Sequence, residues 1–413
     1  MAKKNKPAIR FKEFTDAWEQ RKLGEVVERI TRKNENLEST LPLTISAQYG
    51  LIDQNEFFDK RIASKDVSGY FLIRNGEFAY NKSTSSDAPW GAIKRLDRYE
   101  SGVLSTLYIV FKISDERKTN SDYIVTYYNT DLWHKGIQAI AAEGARNHGL
   151  LNVAPADFFE TNLTMPKDYA EQQQIGSFFQ MLDHLITLHQ RKFDKLQVLK
   201  KAMLEKMFPK NGSSVPEIRF KGFTDAWEQR KLGEVVKEVT RNDPTSEAPI
   251  MMITANNGFI EQSERYAFDN AGESLKKYIL LQKGELAYNH GASKLRPFGS
   301  CFALTTAESA RIPFVYHCFS AENKNAEFLS IELNGSEVES QLRKIVSSGA
   351  RMDGLLNISF DEYSTVTVLL PDIKEQEHIA DFFRNLDHLI TLHQRELEKL
   401  QNIKKSMLEK MFV

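Results

Sequence analysis

The chain is short of cysteine, of long apolar runs and of net charge, and each shortage excludes something. Its two cysteines, Cys301 and Cys318, fall in one region of 413 residues. They supply neither a disulfide framework nor four zinc ligands, and read as two small buried hydrophobes. No apolar run approaches the ~20 residues of a membrane-spanning helix, and Lys3, Lys4 and Lys6 have no apolar stretch behind them, so a cytoplasmic protein is expected. With 55 Lys+Arg against 56 Asp+Glu the net charge is −1. Taken alone, that argues against a nucleic-acid partner, whose electrostatic footprint is usually basic. Catalytic signatures are missing as well. There is no G-x-x-x-x-G-K-[ST] loop, G-x-G-x-x-G, H-E-x-x-H, C-x-x-C or G-x-S-x-G. Asp87-Ala88-Pro89-Trp90 and Asn242-Asp243-Pro244-Thr245 only loosely evoke the Asn/Asp-Pro-Pro-aromatic motif of amino-methylating enzymes, because both lack the second proline. Pro371-Asp372 has no Glu-x-Lys behind it to complete a nuclease metal site. No catalytic residue, metal or bound cofactor is expected of this chain.

What is present is a globular composition, 41% apolar and 27% charged, written out twice. Residues 9–32 and 218–241 are identical at 20 of 24 positions. Residues 171–208 and 375–412 agree at 26 of 38. The stretch between the copies, PKNGSSVPE at 209–217, has a linker's composition. Between the repeated blocks lie two diverged modules, 33–167 and 242–371, which align only through islands. The first island is Ile45-Ser46-Ala47 with Gly50, against Ile253-Thr254-Ala255 with Gly258. The second is Gly76–Asn81 against Gly284–Asn289. The third is Gly144-Ala145-Arg146 with Gly149–Asn152, against Gly349-Ala350-Arg351 with Gly354–Asn357. A near-constant frame carrying two diverged modules is the pattern of two readers with different specificities.

The second repeated block predicts a long helix in each copy. Phe178, Leu182, Leu185, His189, Leu196 and Leu199 follow the 3-4 spacing of a coiled-coil seam, as do Phe382, Leu386, Leu389, His393, Leu400 and Ile403. Each stripe needs a partner, and the other copy is the best available, packed antiparallel. His189 and His393 read as polar seam residues that fix register, His184 and His388 as solvated. The basic runs Arg191–Lys201 and Arg395–Lys405 read as solvated faces, with contact to DNA phosphate as the other possibility.

The modules read as α+β. Tyr108–Ile113, Tyr123–Tyr128 and Thr365–Leu370 are strand-like, whereas Asp131–Glu143 and its counterpart Ala326–Val346 look helical. Polar loops follow Tyr80-Asn81 and Tyr288-Asn289, and small hydroxyls and amides beside cations suit base edges and phosphates. The candidate DNA-binding residues are Gln48, Tyr49, Tyr80, Asn81, Lys82, Ser83, Lys94, Arg95, Arg146, Asn147 and His148 in the first module. In the second they are Asn256, Asn257, Tyr288, Asn289, His290, Lys294, Arg296, Arg351 and Met352. Arg146 and Arg351, constant beside variable neighbours, fit phosphate anchors next to base-reading positions, or structural arginines on a turn.

The doubled Trp18…Lys22-Leu23-Gly24-Glu25-Val26 (Trp227…Lys231-Leu232-Gly233-Glu234-Val235), the doubled Glu-Gln-x-x-Ile…Phe-Phe…Leu-Asp block and the two diverged modules resemble the specificity (S) subunit of Type I restriction–modification systems over essentially the whole chain. The resemblance implies two globular target-recognition domains separated by two long antiparallel helices forming a coiled coil, a pseudo-twofold tandem repeat. The implied divisions are 1–167, a helix at 168–208, a linker at 209–217, a second domain at 218–371 and a helix at 372–413. Each domain would read one half of a bipartite, asymmetric double-stranded DNA target, with the helices setting the gap and docking two modification (M) subunits. Those subunits would methylate adenine with S-adenosylmethionine, and two restriction (R) subunits would add cleavage dependent on ATP and Mg. The implied S chain is itself non-catalytic and binds none of these cofactors. One feature departs from a simple DNA binder. Residues 33–167 hold 15 Lys+Arg against 17 Asp+Glu, and 242–371 hold 11 against 16, so partner subunits are expected to supply much of the phosphate contact. The alternative is a non-catalytic coiled-coil adaptor whose modules bind proteins.

Overall fold

The structure, a computed structural model, describes residues 6–46, 49–60, 62–141, 149–255, 257–265, 272–346 and 355–413. In the first half the strands are β1 (Glu19–Lys22), β2 (Val27–Ile30), β3 (Leu43–Ser46), β4 (Gly50–Asp53), β5 (Phe71–Arg74), β6 (Phe78–Asn81), β7 (Ala92–Arg95), β8 (Ser101–Leu104), β9 (Ile109–Ile113) and β10 (Asn162–Met165). In the second they are β11 (Glu228–Lys231), β12 (Val236–Glu238), β13 (Met251–Thr254), β14 (Gly258–Glu261), β15 (Ile279–Gln282), β16 (Leu286–Asn289), β17 (Ser300–Ala303), β18 (Ser309–Ile312), β19 (His317–Ala321) and β20 (Thr367–Leu370). Every pairing recurs. A four-stranded antiparallel sheet has the order β2-β9-β6-β7 in one half and β12-β19-β16-β17 in the other. Two-stranded ladders β1-β10, β3-β4 and β5-β8 match β11-β20, β13-β14 and β15-β18. The duplication therefore runs through the modules that diverged in sequence.

The central strands explain why so little sequence suffices to hold the modules. Along β6, Phe78 and Tyr80 enter one apolar cluster and Ala79 the other, following the period-2 alternation of a strand buried on both faces. Leu286, Ala287 and Tyr288 repeat this in β16. Cys301 and Cys318 are buried and free, on the two strands that flank β16, and burial raises both thiol pKa values.

The repeated blocks, far apart in sequence, are one frame. Strand β1 from the first block pairs with β10, which leads into the long helix Tyr169–Lys206. Arg10 makes two bonds, 2.6 and 2.7 Å, to Glu171 in that helix's first turn, and Trp18 donates to the same carboxylate at 3.2 Å. Arg219 and Glu375 repeat the fork at 2.7 Å on the second long helix, Ile373–Met411. Glu171 is 1% exposed and Glu375 0%, so each carboxylate depends on its guanidinium. Asp168 and Asp372 cap the two helices by accepting from Ala170 N and Lys374 N, each at 2.8 Å.

The chain divides into two compact units, Met1–Gln190 with Arg395–Val413, and Arg191–Gln394. Each long helix starts in one unit and contributes its last turns to the core of the other. In the first unit, Phe412 packs against Trp18, Tyr123 and Phe179 with ring centroids 5.8, 5.7 and 6.1 Å apart, and Ile9 N donates to Lys410 O. In the second, Phe208 packs against Trp227, Phe328 and Phe383 at 5.8, 5.8 and 6.1 Å, and Ile218 N donates to Lys206 O. Within the first unit, Phe179 meets Phe412 and Asp183 meets Lys404 (2.5 Å), so these helix segments run antiparallel. Within the second, Phe208 meets Phe383 and Lys200 meets Asp387 (2.5 Å), again antiparallel.

Two expectations are corrected. Tyr123–Tyr127 lies in the helix Ser121–Tyr127, with Tyr128 at its C-cap, despite the aromatic and β-branched composition. The Asn120 side chain caps it by accepting from Tyr123 N, and Tyr123, Ile124 and Tyr127 form one buried face at helical spacing. Ala326–Val346 is two helices, Ala326–Leu333 and Ser336–Ile345, broken at Asn334-Gly335, and together they correspond to both 121–127 and 134–140.

Candidate nucleic-acid interface

The two polar loops have one construction. Strand β6 ends at Tyr80-Asn81, and the loop closes at Gly91, where φ is +79° and an added Cβ would lie 2.2 Å from Asn81 O. Strand β16 ends at Tyr288-Asn289, and the loop closes at Gly299, φ +78°, with a Cβ 2.6 Å from Asn289 O. Only glycine fits both the backbone conformation and the space. Tyr80 OH donates to Trp90 O at 2.8 Å and Tyr288 OH to Phe298 O at 2.7 Å. Asn81 Oδ1 accepts from Ser83 N (3.0 Å), and Asn289 Oδ1 from Gly291 N (2.9 Å). These contacts expose a signal that the alignment of islands passed over: Pro89-Trp90-Gly91 against Pro297-Phe298-Gly299 is a fourth island, and it closes the loop.

The second and third islands meet in each copy. Thr84 N and Oγ1 donate to Gly149 O at 2.8 and 2.9 Å, Leu151 N donates to Lys82 O, and Ser83 bridges to Leu150. In the second copy Leu356 N donates to His290 O, and Gly291 bridges to Leu355. The first island forms the hairpins β3-β4 and β13-β14, turning at Gly50 (φ +75°) and Gly258 (φ +65°). Asn289 Nδ2 donates to Ile253 O, which brings the β13-β14 hairpin to the end of β16. In the second module the described parts of three islands, scattered over about 100 residues, thus meet at the end of β16.

The candidates separate by burial. Tyr49, Ser83, Asn257 and Lys294 are exposed. Asn81, Lys82, Asn289 and His290 sit half-buried at the loop base. Tyr80 and Tyr288 are corrected to core residues: both are fully buried, with hydroxyls committed to backbone carbonyls, and burial raises their pKa values. Lys94 and Arg95 are likewise committed to the protein. Lys94 Nζ donates to Asn129 Oδ1 at 3.0 Å; burial lowers its pKa, Lys404 adds to that and Asp183 opposes it. Arg95 pairs with Asp97 at 2.6 Å and Asp122 at 2.8 Å. Arg296 is partly buried, donates to Asn334 O at 2.9 Å and has its pKa lowered by burial. Gln48, Arg146, Asn147, His148, Asn256, Arg351 and Met352 lie outside the described residues. Exposed apolar groups absent from the expectation are Leu295 at the second loop's tip and the edge-to-face pair Phe57–Phe58 just after the β3-β4 hairpin.

Along the long helices, Leu182 and Leu386 are buried. Phe178, Leu185, His189, Leu196, Phe382, His393, Leu400 and Ile403 are half-buried. Leu199 and Leu389 are 40% and 42% exposed, and together with Leu188, Val198 and Leu392 they leave apolar surface open to solvent. His184 and His388 are exposed, as expected. Among the described residues no group of His, Cys, Asp and Glu is arranged to hold a metal ion, and no helix is long and apolar enough to cross a membrane.

No family model matches the sequence. Among solved structures, the chain is similar to the Type I restriction-modification system S subunit from M. genitalium, with a TM-score of 0.58 at 13% identity over 99% of both chains. It also matches the HsdS subunit from Thermoanaerobacter tengcongensis, TM-score 0.41 at 17% identity over 96% of each chain. A third match, a chain from a structure of complex assembly and conformational transition in the type I R-M system, has TM-score 0.43 at 17% identity, covering 96% of this chain and 97% of that one. From end to end, the chain has the α+β tandem-repeat fold of a Type I restriction–modification S subunit.

Proposed function

We propose that this chain is the sequence-specific DNA-recognition subunit of a Type I restriction–modification complex, each module reading one half of a bipartite, asymmetric double-stranded target. The observation that carries the reading is the pair of loop clusters built on one frame. Closing glycine, tyrosine latch and asparagine turn are the same in both, whereas the exposed residues differ: Ser83–Asp87 in one loop, Ala292–Leu295 in the other. A constant scaffold with different hydrogen-bonding groups at its tip is what two different base sequences require. The chain's near-neutral charge fits a subunit that contributes selectivity while partners hold phosphates. The apolar surface left open on the long helices fits docking of two M subunits, which bring S-adenosylmethionine and methylate adenine. Two R subunits would add cleavage driven by ATP with Mg. The S chain itself contributes no catalytic group and works in the cytoplasm.

Exchanging residues 33–167 for the equivalent module of another S subunit tests this in the assembled methyltransferase. Single-molecule methylome sequencing should show one half of the methylated motif changed and the other retained. Alteration of both halves would refute the modular reading, and methylation-independent capture of protein partners by the modules would favour an adaptor.

A further inference from the structure

His290 stands at the exit of β16, and both of its ring nitrogens meet backbone carbonyls. Nδ1 is 2.7 Å from Leu356 O, and Nε2 is 2.7 Å from Val315 O. A neutral imidazole carries one N–H, so its other nitrogen would set a lone pair against a carbonyl lone pair at that distance. Only the imidazolium donates at both positions. We propose that His290 is a proton-dependent clamp that positions the loop cluster of the second module, joining β16, the return segment at Leu355–Ile358 and the turn before β19. Its importance for DNA rests on reading that cluster as the DNA-facing surface; the clamp itself does not.

Three observations support the assignment. The grip on Leu356 is double, because Leu356 N donates to His290 O at 2.9 Å while the His290 ring meets Leu356 O. The first module places Lys82 at the same position, after Tyr-Asn, and its Nζ donates to Val153 O at 3.4 Å in the matching return segment. A side-chain nitrogen directed at a return-segment carbonyl is therefore common to both copies, but lysine as a residue type stays charged where histidine titrates. The surroundings are also consistent. His317 on β19 stacks on His290, centroids 5.2 Å apart, and its Nε2 meets Ile358 O at 3.0 Å. Burial lowers the His317 pKa, its bond to Ile358 opposes this, and His290 lowers it further. Tyr288 on β16 and Tyr363 on the helix Phe360–Tyr363 stack behind them at 4.0 Å. Among the described residues no carboxylate forms an ion pair with His290, and its two ring contacts are to backbone carbonyls. Position 290, an expected DNA-binding candidate, is thereby reassigned to positioning.

The test uses the full chain labelled with ¹⁵N-histidine, with His290→Gln to assign the signal, and hydrogen exchange of 355–358 at pH 6 and pH 8 corrected for intrinsic rates. At pH 6 both ring nitrogens of His290 should carry protons. Protection of 355–358 should fall about tenfold at pH 8, the scale of one charge-assisted hydrogen bond. His290→Lys should give equal protection at both pH values, and peptides covering 149–153 in the first module should not respond, which also checks folding. A neutral-imidazole signature at pH 6, pH-independent protection in the wild type, or the wild-type fall retained in His290→Lys would each overturn the clamp. Binding of the assembled complex to a duplex carrying its own methylation site separates the two readings. Weaker binding at pH 8 in the wild type but not in His290→Lys supports the positioning role. With the clamp established, pH-independent binding in both would instead overturn the assignment of this cluster to DNA.

Discussion

Replacing Phe412 by alanine tests the exchange of helix ends on which both units are built. Phe412 is buried, and its ring packs against Trp18, Tyr123 and Phe179. Truncating a core phenylalanine costs about 3–5 kcal/mol. Taking the low end of that range, the expected cost is about 3 kcal/mol. With a urea m-value of about 2 kcal/mol/M for a unit of this size, the midpoint falls by about 1.5 M. The assay is urea unfolding followed by hydrogen-exchange mass spectrometry, which gives separate midpoints for peptides in 6–190 and 191–394. Loss should be confined to the first unit, although Phe412 ends a helix that begins in the second. Phe208→Ala should do the reverse, by a smaller amount because Phe208 is only half-buried. Equal shifts in both units, or an unchanged first unit, would refute the reasoning.

Two further outcomes follow from groups in the cores. Glu332 is fully buried and its carboxyl pKa is raised to about 7, chiefly by desolvation, with Leu369 N donating to it and opposing the rise. Its contribution is fully present below the unfolded value of 4.5 and is lost as pH rises through about 7. Thermal unfolding of the second unit should therefore weaken over that window, and Glu332→Gln, which keeps the acceptor, should flatten the dependence; a profile identical to wild type would count against the buried acid. Gly91→Ala should cost about 1–3 kcal/mol from backbone conformation alone, with the clash at Asn81 O in addition. Increased exchange should be confined to 81–92 and 149–152, and a variant as protected as wild type there would contradict the loop geometry.

The two repeated blocks were legible in the sequence as a repeat, but the reason for their constancy was not. Arg10 and Glu171 are 161 positions apart, and nothing local announces that they share a buried ion pair. Once that contact is known, the constancy has a cause, because changing either residue strands a buried charge. The strand and helix periodicities of Ile109–Ile113 and of the two long helices were readable from side-chain alternation. Tyr123–Tyr128 was not, because an asparagine cap and a buried helical face outweighed β-branched composition. The candidate site was half legible. The islands marked loops that the structure brings together, but Tyr80 and Tyr288 drew attention for being constant when they are constant as latches in the core. Lys94 and Arg95 read as free cations until Asn129, Asp97 and Asp122 were seen to hold them.

By itself the sequence determined the duplication, the α+β character, the long helices and the absence of familiar catalytic motifs, because these depend on local composition and short-range periodicity. Only the tertiary structure decided which unit each helix end completes, which residues of each loop remain open to a ligand, and that His290 in one copy and Lys82 in the other both reach carbonyls of the return segment. Those facts depend on contacts between segments tens to hundreds of residues apart. A side chain's availability is set by what packs over it, and no local pattern records that.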